Sequence, residues 1–407
     1  MKKIALMLLS ALAIMAMPAL CLAENEWTVI VYMVNDDKDT TLENANFRNL
    51  SSMKSWGPGE NKTLLVQLDG MSTGSSDEQK LNYKGGSRLR VEKDKLIDEG
   101  VLGETNMGSP QTLWDCLKWA HDKYPAKHYA LIINSHGSGV FTWWGDGSVS
   151  SSEPGKVVFN PDRRPGRFVA YDHTDHDALT IFEVAEVLKA FNSRYKTDGK
   201  FDVVGFDACM PAGAEVLYQL RDACDYMVGS PETTPINGFN YDAMAKLMAR
   251  NSTIKPDAFA ADMAERLNNS QIGAWKTAQA AQVVFAVNQL AMELLNAMNE
   301  TGKSFALRGQ AAFGKGTNYW DLVKVGEAFY RENSDLNGAS NRSVIKQMGK
   351  ELVDAIAGAR VTRNGIISIT WPEKADYQKY RAFYKALDMS RDAKWDEVLD
   401  RRELGIK

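Results

Sequence analysis

The run Phe201-Asp202-Val203-Val204-Gly205-Phe206 shows almost no polar alternation and breaks off at Asp207-Ala208-Cys209-Met210-Pro211. A helical pattern, Gly213 to Leu220, follows at once. A short apolar run of this kind reads as a strand buried on both faces, because a strand with one wet face would alternate. Asp207, Ala208 and Cys209 then sit at the strand's carboxyl end, where open α/β sheets place their ligands. A thiol there is held by rigid backbone and can face a crevice. We read Cys209 as a nucleophile that the rest of the chain serves.

Similar runs recur along the sequence. Glu26 to Val34, Thr63 to Leu68, His128 to Asn134 and Asp225 to Gly229 are rich in β-branched, aromatic and leucine residues and read as strands. Helical patterns separate them: one from Thr40 or Thr41 to Trp56, stopped by Gly57-Pro58-Gly59, and one opened by Ser109-Pro110 with Leu113, Leu117 and Ala120 facing the core. Thr180-Ile181-Phe182-Glu183 has capping-box spacing before a third. Strands alternating with helices predict a mostly parallel sheet covered on both faces. Residues 79 to 92 predict a hairpin turning at Lys84-Gly85-Gly86-Ser87. Helices are expected over 240–250, 256–270 and 287–300, with Val283 to Val287 a strand between the last two. After Gly302 the pattern is helical, broken by a late strand at Ile366 to Pro372, and a boundary near 300 separates a domain over 24–300 from a mainly helical subdomain over 301–407.

Met1 to Ala23 stands apart. Lys2 and Lys3 precede the apolar stretch Ile4 to Ala16, and Cys21-Leu22-Ala23 offers small residues before a cut, the pattern of a secretory signal peptide. No later apolar run is long enough to span a bilayer. The expected location is therefore the periplasm or the medium. The formal net charge is -4 with no long basic run, so nucleic acid is excluded as a main partner. Cys116, Cys209 and Cys224 remain after the leader, and an odd number leaves at least one thiol without an intrachain partner. Cys116 and Cys224 read as small buried hydrophobes, or as a disulfide that spacing alone does not establish.

A thiol attacks a carbonyl poorly unless something lowers its pKa or accepts its proton, and histidine is suited to that task. Of five histidines, His121 and His128 read as surface or packing residues. His136 follows a buried strand directly, as Cys209 does, and is flanked by Gly137 and Gly139. Neighbouring parallel strands ending in His and Cys would place both side chains over one sheet edge. The backbone N–H groups of Gly137 and Cys209 are then candidates for an oxyanion hole, although Gly137 also reads as an ordinary turn glycine. From Gly145 to Arg167 the composition shifts to Gly, Ser, Pro and Arg without period, a long loop.

These stretches resemble the clostripain family of cysteine peptidases, in the clan of caspases, legumains and gingipains. Tyr129-Ala130-Leu131-Ile132-Ile133-Asn134-Ser135-His136-Gly137-Ser138-Gly139 resembles the family's histidine motif, and Phe206-Asp207-Ala208-Cys209-Met210 its cysteine motif. Trp27 to Glu43 looks like the first strand and acidic loop, Tyr171 to Thr180 like the Asp-rich segment, and Pro231 to Tyr241 like the substrate-pocket loop. The resemblance implies a caspase-like αβα sandwich and a secreted endopeptidase acting on peptides or proteins, with Cys209 as nucleophile and His136 as general acid/base. It further implies cleavage after Arg or Lys, with Asp207 at the floor of the first pocket and Asn237 and Asp172 among the substrate-binding positions. A bidentate Arg–carboxylate contact gives that preference physical sense. Asp207 also reads as a strand-end carboxylate bound to backbone N–H groups.

Asn237 and Phe239 stand where relatives commonly carry an acidic residue and tryptophan, which leaves a same-fold peptidase of non-basic specificity as an alternative. A catalytically idle secreted peptide-binding protein is a third reading, against which the intact His136 and Cys209 argue. Relatives often cut themselves in a loop comparable to 145–167, here expected at Arg163 or Arg164; that stretch also reads as a solvated basic loop. No cofactor is required by this chemistry. Some relatives depend on calcium, and Asn35-Asp36-Asp37-Lys38-Asp39 offers oxygens, but the Gly and distal Glu of an EF-hand loop are missing. Asp172-His173-Thr174-Asp175-His176-Asp177 lacks the i, i+4 histidine pair of helical zinc sites. Trp143 and Trp144 read as groove walls or as packing.

Overall fold

The computed structural model describes residues 25–36, 41–70, 85–139, 169–196, 199–251, 253–265, 271–305, 318–331 and 338–404. The signal peptide, Asp37 to Asp39, Trp143, Trp144 and the whole 145–167 loop with Arg163 and Arg164 lie outside them.

Apolar runs build the sheet. Strands β1 (Asn25–Val34), β2 (Lys62–Asp69), β3 (Gly86–Glu92) and β4 (Lys95–Gly103) come first, then β5 (Ala126–Asn134). A short pair, β6 (Ala170–Asp172) and β7 (Asp177–Leu179), precedes β8 (Phe201–Asp207), β9 (Cys224–Gly229) and β10 (Gly273–Lys276). The eight-stranded sheet runs β10-β9-β8-β5-β1-β2-β3-β4. Its five inner strands, from β9 to β2, are all parallel, and β10, β3 and β4 join antiparallel at the two edges. Every residue of β2 and β8 is buried, as an unalternating apolar run requires.

Helices cover both faces. On one side lie α1 (Thr41–Trp56), α5 (Tyr241–Arg250) and α6 (Pro256–Glu265), packed on Val29, Val31 and Val203. On the other lie α2 (Pro110–Lys123), α3 (Ile181–Tyr195), α4 (Ala214–Gln219) and α7 (Ala280–Thr301), packed on Ile30, Tyr32, Leu131 and Val204. Alternate residues of β1 feed the two cores, the period-2 pleat at work. The αβα sandwich is thus established. Leu113, Leu117 and Ala120 are fully buried, and Thr180 forms the capping box with Glu183.

The second apolar layer continues into the C-terminal stretch: α8 (Leu322–Tyr330), α9 (Arg342–Ala359), α10 (Lys374–Tyr384), α11 (Asp388–Asp392) and α12 (Trp395–Leu399), with the two-stranded ribbon β11 (Tyr319–Asp321) and β12 (Ser368–Thr370).

One local expectation is corrected. Val283 to Val287 is helical, inside α7, where Val283, Val284, Val287, Leu290, Ala291 and Leu294 form one buried stripe. Residues 79–84 of the expected hairpin lie outside the described residues; Gly86 opens β3, which pairs with β4 across a turn at Lys93 and Asp94, Asp94 taking φ 63°. β10, only four residues long, carries no periodicity that would announce it.

Candidate active site

The pairing of β5 with β8 sets the site. Asn134 is in register with Asp207, and the Ser135 N–H donates to the Asp207 carbonyl at 3.3 Å. His136 and Cys209 each come two residues past that pair, at the carboxyl edge of adjacent parallel strands. His136 is exposed and Cys209 half-buried, so neither is sealed in the core.

Gly137 packs directly on the cysteine backbone. A Cβ placed there would lie 2.7 Å from the Cys209 carbonyl oxygen, 3.0 Å from its nitrogen and 2.8 Å from the Ala208 Cβ. Real side chains do not tolerate such distances, so glycine is required by the close approach of the two loops.

The chain beyond β9 lies along the cysteine turn. Met210 N–H donates to the Glu232 carbonyl at 2.9 Å, Thr234 Oγ1 to the Ala208 carbonyl at 2.7 Å, and the Thr234 N–H to Cys209 Sγ at 3.4 Å. Burial pushes the thiol above its ordinary pKa; the Thr234 N–H opposes this, and the Asp207 charge adds to it. At rest near neutral pH, Cys209 is therefore a thiol.

Met210 is a residue that sequence reading missed. Four non-glycine residues among those described have positive φ, and three are Asn61, Asp94 and His176, types that tolerate it. The fourth is Met210, at φ 65°, immediately after the cysteine. A left-handed conformation at such a residue costs about 1–3 kcal/mol and marks functional turns.

Asp207 is buried beneath Gly238 and Phe239. Its Oδ2 accepts from Asn134 Nδ2 at 2.6 Å and from the Tyr241 hydroxyl at 2.8 Å. Burial raises its pKa; Phe239 N–H, Tyr241 and Asn134 pull it back. Phe239 N–H is close enough to favour the charge, but no donor meets ordinary hydrogen-bond geometry at Oδ1. A chain of amides leads away from it: Asn46 Nδ2 donates to Asn134 Oδ1, and Asn49 Nδ2 donates to Asn46 Oδ1 at 3.1 Å and to the Asn237 carbonyl at 3.3 Å. The only signal for Asn46 and Asn49 in the sequence was a pair of polar residues on the inner face of a helix.

Asn237 is exposed, and Arg48 donates to its Oδ1 at 3.3 Å. Asp172 faces inward with no exposed surface; its carboxylate accepts from the N–H groups of Met107, Thr174 and Asp175 at 2.8, 3.1 and 3.0 Å. Burial first, then neighbouring Asp36, pushes Asp172 up to about 7 even though Asp175 and Met107 donate to it. Asp69 is pushed up to about 8 by burial, Glu104, Asp172 and Asp36. Next to Asp172, the His173 ring stands edge-on to His136, with centroids 6.2 Å apart.

The other candidates are placed as packing groups. His121 bonds the Tyr129 hydroxyl, His128 bonds Asp202, and Cys116 and Cys224 are buried free thiols. Among the described residues no group of three or more His, Cys, Asp or Glu is arranged to hold a metal ion, and no helix is long and apolar enough to cross a membrane.

A parallel sheet between two helical layers, with histidine and cysteine at neighbouring strand ends, is the architecture of a caspase-like fold. Solved structures of C11 proteases share the fold. An inactive zymogen C11 protease from Parabacteroides distasonis has TM-score 0.60 and 17% identity, covering 91% of this chain and 98% of that one. A secreted C11 cysteine protease from Bacteroides thetaiotaomicron, bound to an irreversible peptide inhibitor, has TM-score 0.60 and 17% identity, covering 92% and 100%. The sequence model of the clostripain family matches residues 31–401, and the chain belongs to that family of cysteine peptidases. It is 24% identical over 358 residues to clostripain of Hathewaya histolytica, covering 75% of this chain and 63% of that relative's length.

Proposed function

We propose that the chain is an exported cysteine endopeptidase that cleaves after Arg or Lys with a Cys209–His136 dyad. The observation that supports the reading is the Asn134–Asp207 register, which brings residues 136 and 209 just past the same sheet edge, with Gly137 packed on the cysteine backbone. On this reading the Cys209 thiol gives its proton to His136 as it attacks the scissile carbonyl. The Gly137 and Cys209 N–H groups stabilise the oxyanion. His136 then protonates the leaving amine, and water hydrolyses the thioester. The raised thiol pKa suits a nucleophile that is activated only when substrate arrives.

Asp207 would take the guanidinium or ammonium of the residue before the cut. Its burial under Gly238 and the undonated Oδ1 support that role. A second reading, a same-fold peptidase of non-basic specificity, is favoured by the Arg48–Asn237 contact, which sets a cation where an acid would help. Asp172, with its oxygens held by backbone N–H groups, would act by shaping the loop beside His136. Activation by self-cleavage at Arg163 or Arg164 belongs to the same proposal, as does a division at about 300, where α7 closes on a left-handed Gly302. The dyad chemistry itself requires no cofactor.

The test is a panel of fluorogenic peptides varying the residue before the cut, run on wild type and Cys209→Ala before and after limited trypsin treatment. Turnover after Arg or Lys that is lost in the variant supports the proposal. Turnover after other residues supports the second reading, and no turnover in any state overturns both. Mass spectrometry of the purified wild type beside Cys209→Ala reads self-cleavage directly.

A further inference from the structure

The stretch after residue 318 reaches back to both loops of the site. Tyr319, on β11 and buried, donates its hydroxyl to the Ser138 carbonyl at 3.0 Å, two residues past His136. Next to it, Gly139 takes φ 60°, and a Cβ there would lie 2.5 Å from the Tyr319 hydroxyl and 2.6 Å from the Met210 carbonyl oxygen. The end of the His136 loop is therefore wedged between Tyr319 and the residue after Cys209.

The partner strand grips the other loop. Tyr319 pairs with Thr370 and Asp321 with Ser368 across the ribbon. The Ser368 N–H and hydroxyl both donate to the Ala212 carbonyl, at 2.8 and 3.1 Å, three residues past Cys209. The Thr370 N–H donates to Glu215 in the first turn of α4 at 2.9 Å, and Glu215 also accepts from the Tyr384 hydroxyl at 2.9 Å. Trp320 and Trp371 stack at 4.6 Å behind the ribbon.

We propose that Tyr319 is a positioning residue for the dyad, and that the β11–β12 ribbon clamps the His136 loop and the Cys209 turn into one register. The clamp rests on the Cys209–His136 reading above. It gives the C-terminal stretch a task in the chemistry: the two strand ends are adjacent through β5 and β8, but what lies beyond them is loop, and the ribbon, itself a hydrogen-bonded strand pair, touches both. Displacing a catalytic group by about 1 Å costs up to about a hundredfold in rate. Loss of one of several holding contacts is therefore expected to lower kcat about tenfold.

The experiment compares Tyr319→Phe with wild type in the full chain. It measures kcat and KM on a fluorogenic peptide ending in arginine, alkylation of Cys209 by iodoacetamide, and amide hydrogen exchange over 135–139. The expected result is a kcat about tenfold lower with KM unchanged, faster exchange at Ser138 and Gly139, and alkylation at the wild-type rate. Wild-type kcat, or a loss of kcat matched by the same loss in alkylation, overturns the clamp. Ser368→Ala, which leaves the backbone bond to Ala212, is the second variant should Tyr319→Phe melt early; the same kcat-selective loss supports the clamp and full activity overturns it. Cys209→Ala and His136→Ala are run alongside. Turnover surviving in them overturns the dyad and the clamp together, whereas their inactivity beside a fully active Tyr319→Phe overturns the clamp alone.

Discussion

Asn134 Nδ2 donates to Asp207 Oδ2 at 2.6 Å across the β5–β8 pairing, tying the strand that leads to His136 to the strand that leads to Cys209. That carboxylate is also the group proposed to select a basic side chain. Asp207→Asn keeps an acceptor for Asn134 and Tyr241 but removes the charge. It is expected to lower kcat/KM for arginine peptides roughly 10- to 100-fold, the worth of a hydrogen bond to a charged group. Burial already disfavours the charge, so the melting temperature should stay level or rise. Equal losses on arginine and neutral peptides would contradict the assignment.

Asn237 bears on how strict that preference is. Arg48 donates to it from α1, so Asn237→Asp adds an anion partly answered by a cation already present. An exposed pair of this kind is worth about 0.2–1 kcal/mol. The expected change is a drop in KM for arginine peptides of up to about fivefold, with a larger drop when Arg48→Ala is added. Steady-state kinetics on the two variants checks it; an unchanged KM in both would remove Asn237 from the pocket.

The resting thiol gives a third expectation. Because burial raises the Cys209 pKa, iodoacetamide alkylation should rise with pH through a midpoint above the ordinary thiol value of about 8.5. His136→Ala should leave that midpoint in place while abolishing turnover, since no thiolate–imidazolium pair is needed before substrate binds. A midpoint well below 8.5 that climbs in His136→Ala would contradict this.

Asp69 and Asp172 set a pH dependence of stability. Their folded values, about 8 and about 7, lie above the ordinary carboxyl value, so the native state holds protons that the unfolded chain has released. Their contribution is complete below about pH 4 and is lost as pH rises through about 7 to 8. Asp69→Asn should therefore melt near wild type at pH 5 and above it at pH 8. Parallel melting curves across that range would show that Asp69 is charged in the native protein.

The sandwich was legible because buried parallel strands write themselves as unalternating apolar runs, and β1, β2, β5, β8 and β9 all do so. The same rule misled at Val283 to Val287: three valines in five residues look like a strand, and only the stripe continuing to Leu294 shows the helix. The β3–β4 hairpin went unread because its turn at Lys93-Asp94 carries no glycine, an aspartate taking the left-handed conformation instead. The position of Asp207 at a strand end, and of His136, Gly137 and Cys209 just past one, was legible because the apolar runs before them stop there. Tyr319, Asn46 and Tyr241 were not, because each acts across a long sequence separation that no local pattern records.

The central claim is that Cys209 attacks a bound peptide with the help of His136. The most direct measurement is labelling with a peptidyl chloromethyl ketone ending in arginine, followed by intact mass and peptide mapping. The account predicts one adduct, on Cys209 in wild type, absent in Cys209→Ala and formed far more slowly in His136→Ala. An adduct on any other residue, or none on Cys209 after the 145–167 loop has been opened with trypsin, would contradict it.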